Sequence, residues 1–106
     1  MAADVFLALA DPTRRRLVDL LRLGPRAVGD LVAKVDIEQP GVSRHLRILQ
    51  EAGFVTVTPE KQRRIYALRE EPFRDLEDWA KKYRRDLEQR LARFADVVEK
   101  KNEGRK

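Results

Sequence analysis

The side chains best suited to covalent chemistry are the only serine and the only histidine of the chain, Ser43 and His45. They lie two positions apart in a segment with helical spacing, and residues at i and i+2 point to different sides of a helix. The sequence places no acidic residue where it could orient the imidazole, as a nucleophile and base pair requires. We therefore expect no enzymatic activity, and we assign His45 a structural or phosphate-bonding role.

The composition also disfavours metal and thiol chemistry. The 106 residues include no cysteine, so disulfides, thiolate ligands and thiol redox sensing are absent. A single histidine cannot supply the nitrogen ligands of a typical zinc site. We expect no metal ion or other cofactor, and no dedicated site for soft metal ions or oxidants.

Polar side chains on one predicted helix could instead bind nucleic acid. This helix is predicted to begin near Gln39-Pro40 and to end at Ala52, because Gly53 follows. Its buried stripe consists of apolar residues at spacings of four and three: Val42, Leu46 and Leu49. Its other faces must then carry the polar residues Gln39, Ser43, Arg44 and Arg47. Glutamine can pair with adenine and arginine with guanine in the major groove, so this helix is a candidate for base recognition.

A basic segment follows this helix. The net charge of the chain is +5, and residues 59–69 carry four basic side chains against one acidic side chain. The basic residues are Lys61, Arg63, Arg64 and Arg69. The segments 55–58 and 64–68 alternate apolar and polar residues and predict the two strands of a hairpin with a basic tip. Such a run can be a solvated loop, but beside a base-recognising helix it indicates contacts to phosphate.

Three shorter helices are predicted before the candidate recognition helix. They comprise an apolar run at 4–9, a helix with Asp11 as N-cap and Gly24-Pro25 at its end, and a short helix at 28–34. Helices joined by a short turn and followed by a hairpin form a winged helix-turn-helix, a mainly α fold with a small β-hairpin.

The last predicted helix begins at Glu71-Pro72 and carries a single apolar stripe. The stripe consists of residues at spacings of three and four: Phe73, Leu76, Ala80, Tyr83, Leu87, Leu91, Phe94 and Val98. Over about 26 residues it spans roughly 40 Å, more than a body of about 70 residues can cover. An exposed stripe of this length implies a partner, most simply a second copy of the helix, although a helix folded back on its own core is the alternative. We treat residues 1–99 as a single domain with dimerisation helices at both ends, and we expect residues 100–106 to be frayed.

These segments resemble the ArsR-type family of bacterial winged-helix repressors. The resemblance is carried by ALADPTRRRLVDLL at 8–21, VGDL at 28–31, QPGVSRHLRILQEAGFV at 39–55 and RRIYAL at 63–68. It implies a homodimer that binds an inverted-repeat operator in double-stranded DNA, with the fourth helix in the major groove and the hairpin as wing. It also implies a dimer interface between the first and last helices. We therefore predict a sequence-specific transcriptional repressor.

The chain resembles the branch of the family that does not sense metals. Metal-sensing members carry a cysteine-containing motif where this sequence has the residues 27–30, or His and acidic pairs on the last helix, which lacks His here. The features shared with the non-metal branch are the DPTRRR start, Trp79, Tyr83 and Arg84. Two positions depart from the family pattern. Glu38 is a weaker N-cap than the usual Ser or Thr, and Gly41 stands where Thr is common, which removes a possible contact.

Two sets of site residues follow. The expected DNA contacts are Gln39, Gly41, Ser43, Arg44, His45, Arg47, Lys61, Arg63 and Arg64. The expected dimer contacts are Phe6, Leu9, Trp79, Tyr83, Leu87, Leu91, Phe94 and Val98. The three cations at 14–16 could touch phosphate or remain solvated, with Arg15 paired to Asp19. Trp79 could anchor the core or the dimer interface, or it could stack on a ligand.

Two other functions are compatible with this fold. A protein-interaction module predicts a neutral or apolar recognition face, and a non-specific DNA-binding protein predicts a larger, less localised positive charge than +5. The sequence identifies no effector. It has no apolar segment long enough to span a membrane and no signal pattern, so we expect a cytoplasmic protein.

Overall fold

The computed structural model of the protein describes residues 3–103, which divide into two compact units, residues 3–74 and residues 75–103. The elements are α1 (Ala3–Leu9), α2 (Pro12–Leu21), β1 (Arg26–Ala27), α3 (Val28–Val32), α4 (Gln39–Glu51), β2 (Val55–Glu60), β3 (Arg63–Leu68) and α5 (Glu71–Glu103). The first unit contains every element up to the first turn of α5, and the second contains the rest of α5. This is the predicted winged helix-turn-helix order, mainly α with a small antiparallel sheet.

Asp11 begins α2, as the sequence predicts. Its carboxylate accepts hydrogen bonds from the backbone N–H groups of Thr13, at 2.8 Å, and Arg14, at 3.1 Å. The hydrogen bond from the Arg14 N–H outweighs the opposing effect of partial burial and lowers the pKa of Asp11 below its ordinary value. The cap matters because α2 carries four buried core residues: Leu17, Val18, Leu20 and Leu21.

We expect Asp11→Ala to lower the free energy of unfolding by about 0.5 to 2 kcal/mol, because it removes this cap. Asp11→Asn is the matched control, since asparagine caps equally well but does not titrate. The lowered pKa means that the Asp11 charge stabilises the fold fully above the unfolded-state pKa, and that this contribution is lost as pH falls through the folded-state pKa. Denaturant titrations should show the wild type losing stability relative to Asp11→Asn in acid. Parallel pH curves for the two proteins would contradict this expectation.

The core of the first unit lies between α2, α3, α4 and the sheet. Its fully buried side chains are Leu17, Leu31, Val42, Leu46, Leu49 and Phe54, which include the whole stripe predicted for α4. Phe54 packs edge-on against Phe73, with ring centroids 5.3 Å apart and an interplanar angle of 77°. This aromatic contact fixes the first turn of α5 to the core of the unit.

The predicted hairpin is part of a three-stranded sheet with the order β1-β3-β2. β2 and β3 pair antiparallel from Val55↔Leu68 to Glu60↔Arg63. The additional strand, β1, pairs with β3 through Arg26↔Tyr66 and Ala27↔Ile65. Sequence patterning does not predict β1, because two residues cannot show a two-residue period. Since β1 runs directly into α3, it attaches the hairpin to the start of that helix.

The second unit is the remainder of α5, which is helical to Glu103. Residues 100–103 of the segment expected to be frayed are therefore helical, and 104–106 lie outside the described residues. From Trp79 onward the large apolar side chains of this unit are 40–68% exposed: Trp79, Tyr83, Leu87, Leu91, Phe94, Val97 and Val98. Within residues 3–103, no helix combines the length and the apolar character that crossing a bilayer requires.

Candidate nucleic-acid interface

One cleft brings together side chains from α3, α4 and the β2–β3 hairpin. It has a volume of about 410 Å³, and we call it the wing cleft. The polar and charged side chains that line it include Asp30, Gln39, Ser43, Arg63 and Arg64. Four of the residues that the sequence nominates for DNA contact, two from the helix and two from the hairpin, therefore share one concave surface.

The exposed face of α4 carries the other nominated side chains of that helix. Arg44 and Arg47 are exposed, whereas Ser43 and His45 are half-buried, and the apolar stripe faces the core. Glu38 occupies the N-cap position without a side-chain capping hydrogen bond, as expected for a weak N-cap. The helix thus begins in the wing cleft and presents two arginines along its solvent side.

Gly41 has a packing role. A Cβ atom at this position would lie 3.2 Å from Cδ1 of Ile37, which is tighter than ordinary van der Waals contact. A threonine here would require the Ile37 side chain, from the turn between α3 and α4, to shift by a few tenths of an ångström. Gly41 therefore contributes close packing of this turn against the start of α4, and only its backbone is left to contact a ligand.

His45 contacts Arg14 of α2. Nη1 of Arg14 lies 3.3 Å from Nδ1 of His45. Because a guanidinium only donates hydrogen bonds, Nδ1 must accept, and the proton of a neutral imidazole is then on Nε2. When the imidazole is protonated, its positive charge is a minor cause of the lowered pKa of Asp11. Sequence reasoning missed the contact with Arg14, because the two residues lie 31 positions apart in the chain.

Arg14 and Arg15 bind the carboxyl end of α1. Arg14 donates from Nε to the Ala8 carbonyl at 2.7 Å and from Nη2 to the Leu7 carbonyl at 2.9 Å. Arg15 donates from Nη1 to the Leu9 carbonyl at 2.6 Å. Arginines in this position satisfy the last carbonyls of a helix, which lack partners within the helix. For Arg14 and Arg15, the sequence suggested a phosphate contact or a solvated ion pair, but the structure shows hydrogen bonds to helix carbonyls instead. Arg16 is exposed.

The wing tip is a two-residue loop formed by Lys61 and Gln62, because Glu60 and Arg63 pair on either side of it. Lys61 has a φ of 58°, a left-handed conformation that glycine adopts at lower cost. Lys61, Arg63 and Arg64 are all exposed. Nη2 of Arg63 lies 3.7 Å from Oδ2 of Asp30, and both residues line the wing cleft.

The nominated dimer contacts lie on two helices. On α1, Phe6 is exposed and Leu9 is half-buried, while Val5 and Ala8 face the core. On α5, Trp79 and Tyr83 pack against each other with ring centroids 4.9 Å apart. In the part of the chain that the structure describes, no three His, Cys, Asp or Glu side chains are grouped so that they could hold a metal ion.

Comparisons with known proteins all identify transcriptional regulators as similar to this chain. Residues 11–57 match the family described as bacterial regulatory proteins of the arsR family. The chain is 46% identical over 61 residues to the HTH-type transcriptional regulator Rv2034 of Mycobacterium tuberculosis, over 58% of this chain and 57% of that protein. It is 36% identical over 76 residues to the transcriptional repressor SdpR of Bacillus subtilis, over 72% of this chain and 84% of that protein.

A solved structure extends the similarity to the fold. It is the homodimeric winged helix-turn-helix DNA-binding domain of a Mycobacterium bovis protein, with 32% identity and a TM-score of 0.64. The match covers 68% of each chain.

Proposed function

The chain belongs to the ArsR family of bacterial regulatory proteins, and from this membership we propose that it is a transcriptional repressor that binds an inverted-repeat operator as a homodimer. Its relatives are named as regulators and repressors, not as enzymes. The chain spans 57% of the length of the first of these relatives and 84% of the second, so the proposal concerns the shared winged-helix region. Acting on a bacterial chromosome, the protein would work in the cytoplasm.

The wing cleft is the observation that carries this proposal. It joins two polar side chains of α4, Gln39 and Ser43, to two cations of β3, Arg63 and Arg64. Base recognition requires directional donors and acceptors, whereas affinity for a duplex requires cations near phosphate. The cleft holds both kinds of group on adjacent elements, which is the arrangement of a recognition helix beside a wing.

The homodimer is supported by the exposed stripe of α5. Seven large apolar side chains of the second unit are at least 40% exposed, and a helix that is alone in its unit has no core to cover them. A patch of this kind marks an interface, and a second copy of the same stripe is its simplest complement. The M. bovis domain with the same fold is described as homodimeric.

Polarity argues against a protein-interaction module. The α4 face and the hairpin tip present arginines, a lysine and glutamines, whereas a protein-binding face needs an apolar centre. The excess of positive charge is also localised, since residues 59–69 carry four basic side chains against one acidic side chain. This fits a specific site better than a general DNA-coating protein.

Selection of bound sequences from a random duplex pool tests the proposal directly. We expect an inverted repeat to be enriched, with two half-sites related by the two-fold axis of the dimer. A double variant with Gln39→Ala and Arg44→Ala should lose the enrichment, whereas Arg22→Ala, at an exposed position after α2, should keep it. Retention of DNA without any enriched sequence would identify a non-specific binder, and no retention would favour an interaction module.

At Lys61 in the wing tip, the effect of the charge on DNA binding can be separated from the effect of the backbone conformation on stability. We expect Lys61→Ala to weaken binding to all duplexes alike and to reduce the salt dependence, by about 0.9 in the logarithmic slope for each phosphate that is no longer neutralised. Lys61→Gly should weaken binding equally, but it should also stabilise the fold by about 1 kcal/mol, because glycine tolerates the left-handed backbone. Salt titrations of binding and thermal unfolding of both variants measure these effects. Equal stability of the two variants would show that the loop is not strained.

A further inference from the structure

The wing cleft contains one acidic side chain among its charged lining residues, Asp30 of α3. Its Oδ2 atom lies 3.7 Å from Nη2 of Arg63, and no other ion pair of Arg63 is found within residues 3–103. The two side chains are 57% and 60% exposed. One of the two cleft arginines therefore faces a carboxylate of the same protomer rather than solvent alone.

An ion pair of this kind holds Arg63 only weakly. The separation exceeds the roughly 2.7 to 2.9 Å of a short charge-assisted hydrogen bond, and exposed pairs contribute about 0.2 to 1 kcal/mol. A phosphate that reaches Arg63 can thus displace Asp30, but the energy of the displaced pair is subtracted from the energy of binding. The carboxylate and the phosphate carry the same sign of charge and would compete for the same guanidinium.

We propose that Asp30 is an internal competitor for the DNA phosphate at Arg63, and that it lowers the affinity of the wing for the duplex backbone. The inference rests on the proposed function, since it needs DNA in the wing cleft. Phosphate contacts are independent of sequence, so Asp30 restrains the part of the binding energy that does not depend on the operator. The base contacts of α4 are left unchanged.

The charge of Asp30 can be removed with little change of shape. We expect Asp30→Asn to tighten binding to an operator duplex and to an unrelated duplex by about 1.4- to five-fold for each bound protomer, the range of an exposed ion pair. Asp19→Asn is the matched control, because it makes the same change of charge at an exposed position on α2. It should have a smaller effect than Asp30→Asn. Fluorescence anisotropy at fixed ionic strength measures both, and thermal unfolding checks that each variant is folded.

A double-mutant cycle tests whether Asp30 acts through Arg63. In an Arg63→Gln background, Asp30→Asn should no longer tighten binding, because there is no cation left to release. Tightening that persists in this background would overturn the inference, since Asp30 would then act on the DNA directly. Unchanged affinity of Asp30→Asn in a wild type that binds DNA would overturn the inference alone. A wild type that binds no duplex would overturn the proposed function, and the inference with it.

Discussion

Replacement of Arg44 by alanine should cost about 1 to 3 kcal/mol of binding free energy per half-site, if Arg44 pairs with a guanine edge. A dimer on an inverted repeat carries two copies of this contact, so the loss on the full operator should be about twice as large. Arg44 suits this role because it is exposed on α4, whose apolar stripe fixes the orientation of the helix against the core. The loss should be unequal across operator variants, and greatest for those that retain the guanine.

The matched comparison for Arg44→Ala is Arg64→Ala in the wing cleft. Both remove one exposed arginine, but the cation on β3 is expected to contact phosphate, so its removal should affect all duplexes similarly. Binding measured against a panel of operators with single base-pair changes separates the two outcomes. A uniform loss of affinity for Arg44→Ala would mean that Arg44 contacts the backbone instead of a base.

Leu91→Asp should dissociate the dimer. Leu91 is 67% exposed in the single chain and lies in the middle of the stripe on α5, where a second copy is expected to cover it. An uncompensated carboxylate buried in such an interface costs about 3 to 5 kcal/mol, which weakens association by a hundred-fold or more. DNA affinity should fall as well, because one protomer can occupy only one half-site.

Gln89→Asp provides the control for Leu91→Asp. It adds the same charge two residues away on the same helix, but outside the apolar stripe, so the dimer should persist. Sedimentation equilibrium gives the oligomeric state, and circular dichroism shows whether the helical structure is retained. A wild type that sediments as a stable monomer, or a Leu91→Asp variant that remains a dimer, would contradict the homodimer.

The parts of the fold that could be predicted from the sequence are those with long periodic patterns. The stripe of α4, the N-cap at Asp11 and the run of α5 through Val98 all follow from residues close together in the chain, where spacing and capping rules apply. β1 could not be predicted, because its two residues are a strand only through their pairing with β3. Tertiary contact, and not local preference, decides such a segment.

In the candidate site, too, some residues could be predicted from the sequence and some contacts could not. Gln39, Ser43, Arg63 and Arg64 could be nominated from residue type and element order, and these four line one cleft. The contact between Asp30 and Arg63 could not be predicted, because it joins α3 to β3 across the cleft. For Arg15, the i, i+4 rule favours Asp19, yet the carbonyl of Leu9 binds the side chain instead. A helix end with unpaired carbonyls competes successfully with a weak surface ion pair.

The Arg14 side chain connects α1, α2 and α4 through hydrogen bonds. From its place on α2 it holds two carbonyls at the end of α1 and contacts His45 on α4, so a shift of α1 by an ångström would strain hydrogen bonds that reach the recognition helix. α1 is an expected dimer helix, and α4 an expected DNA helix. Protomer association and operator binding would then be linked, and such linkage is reciprocal. If dimerisation raises the DNA affinity by some factor, bound operator must strengthen dimerisation by the same factor.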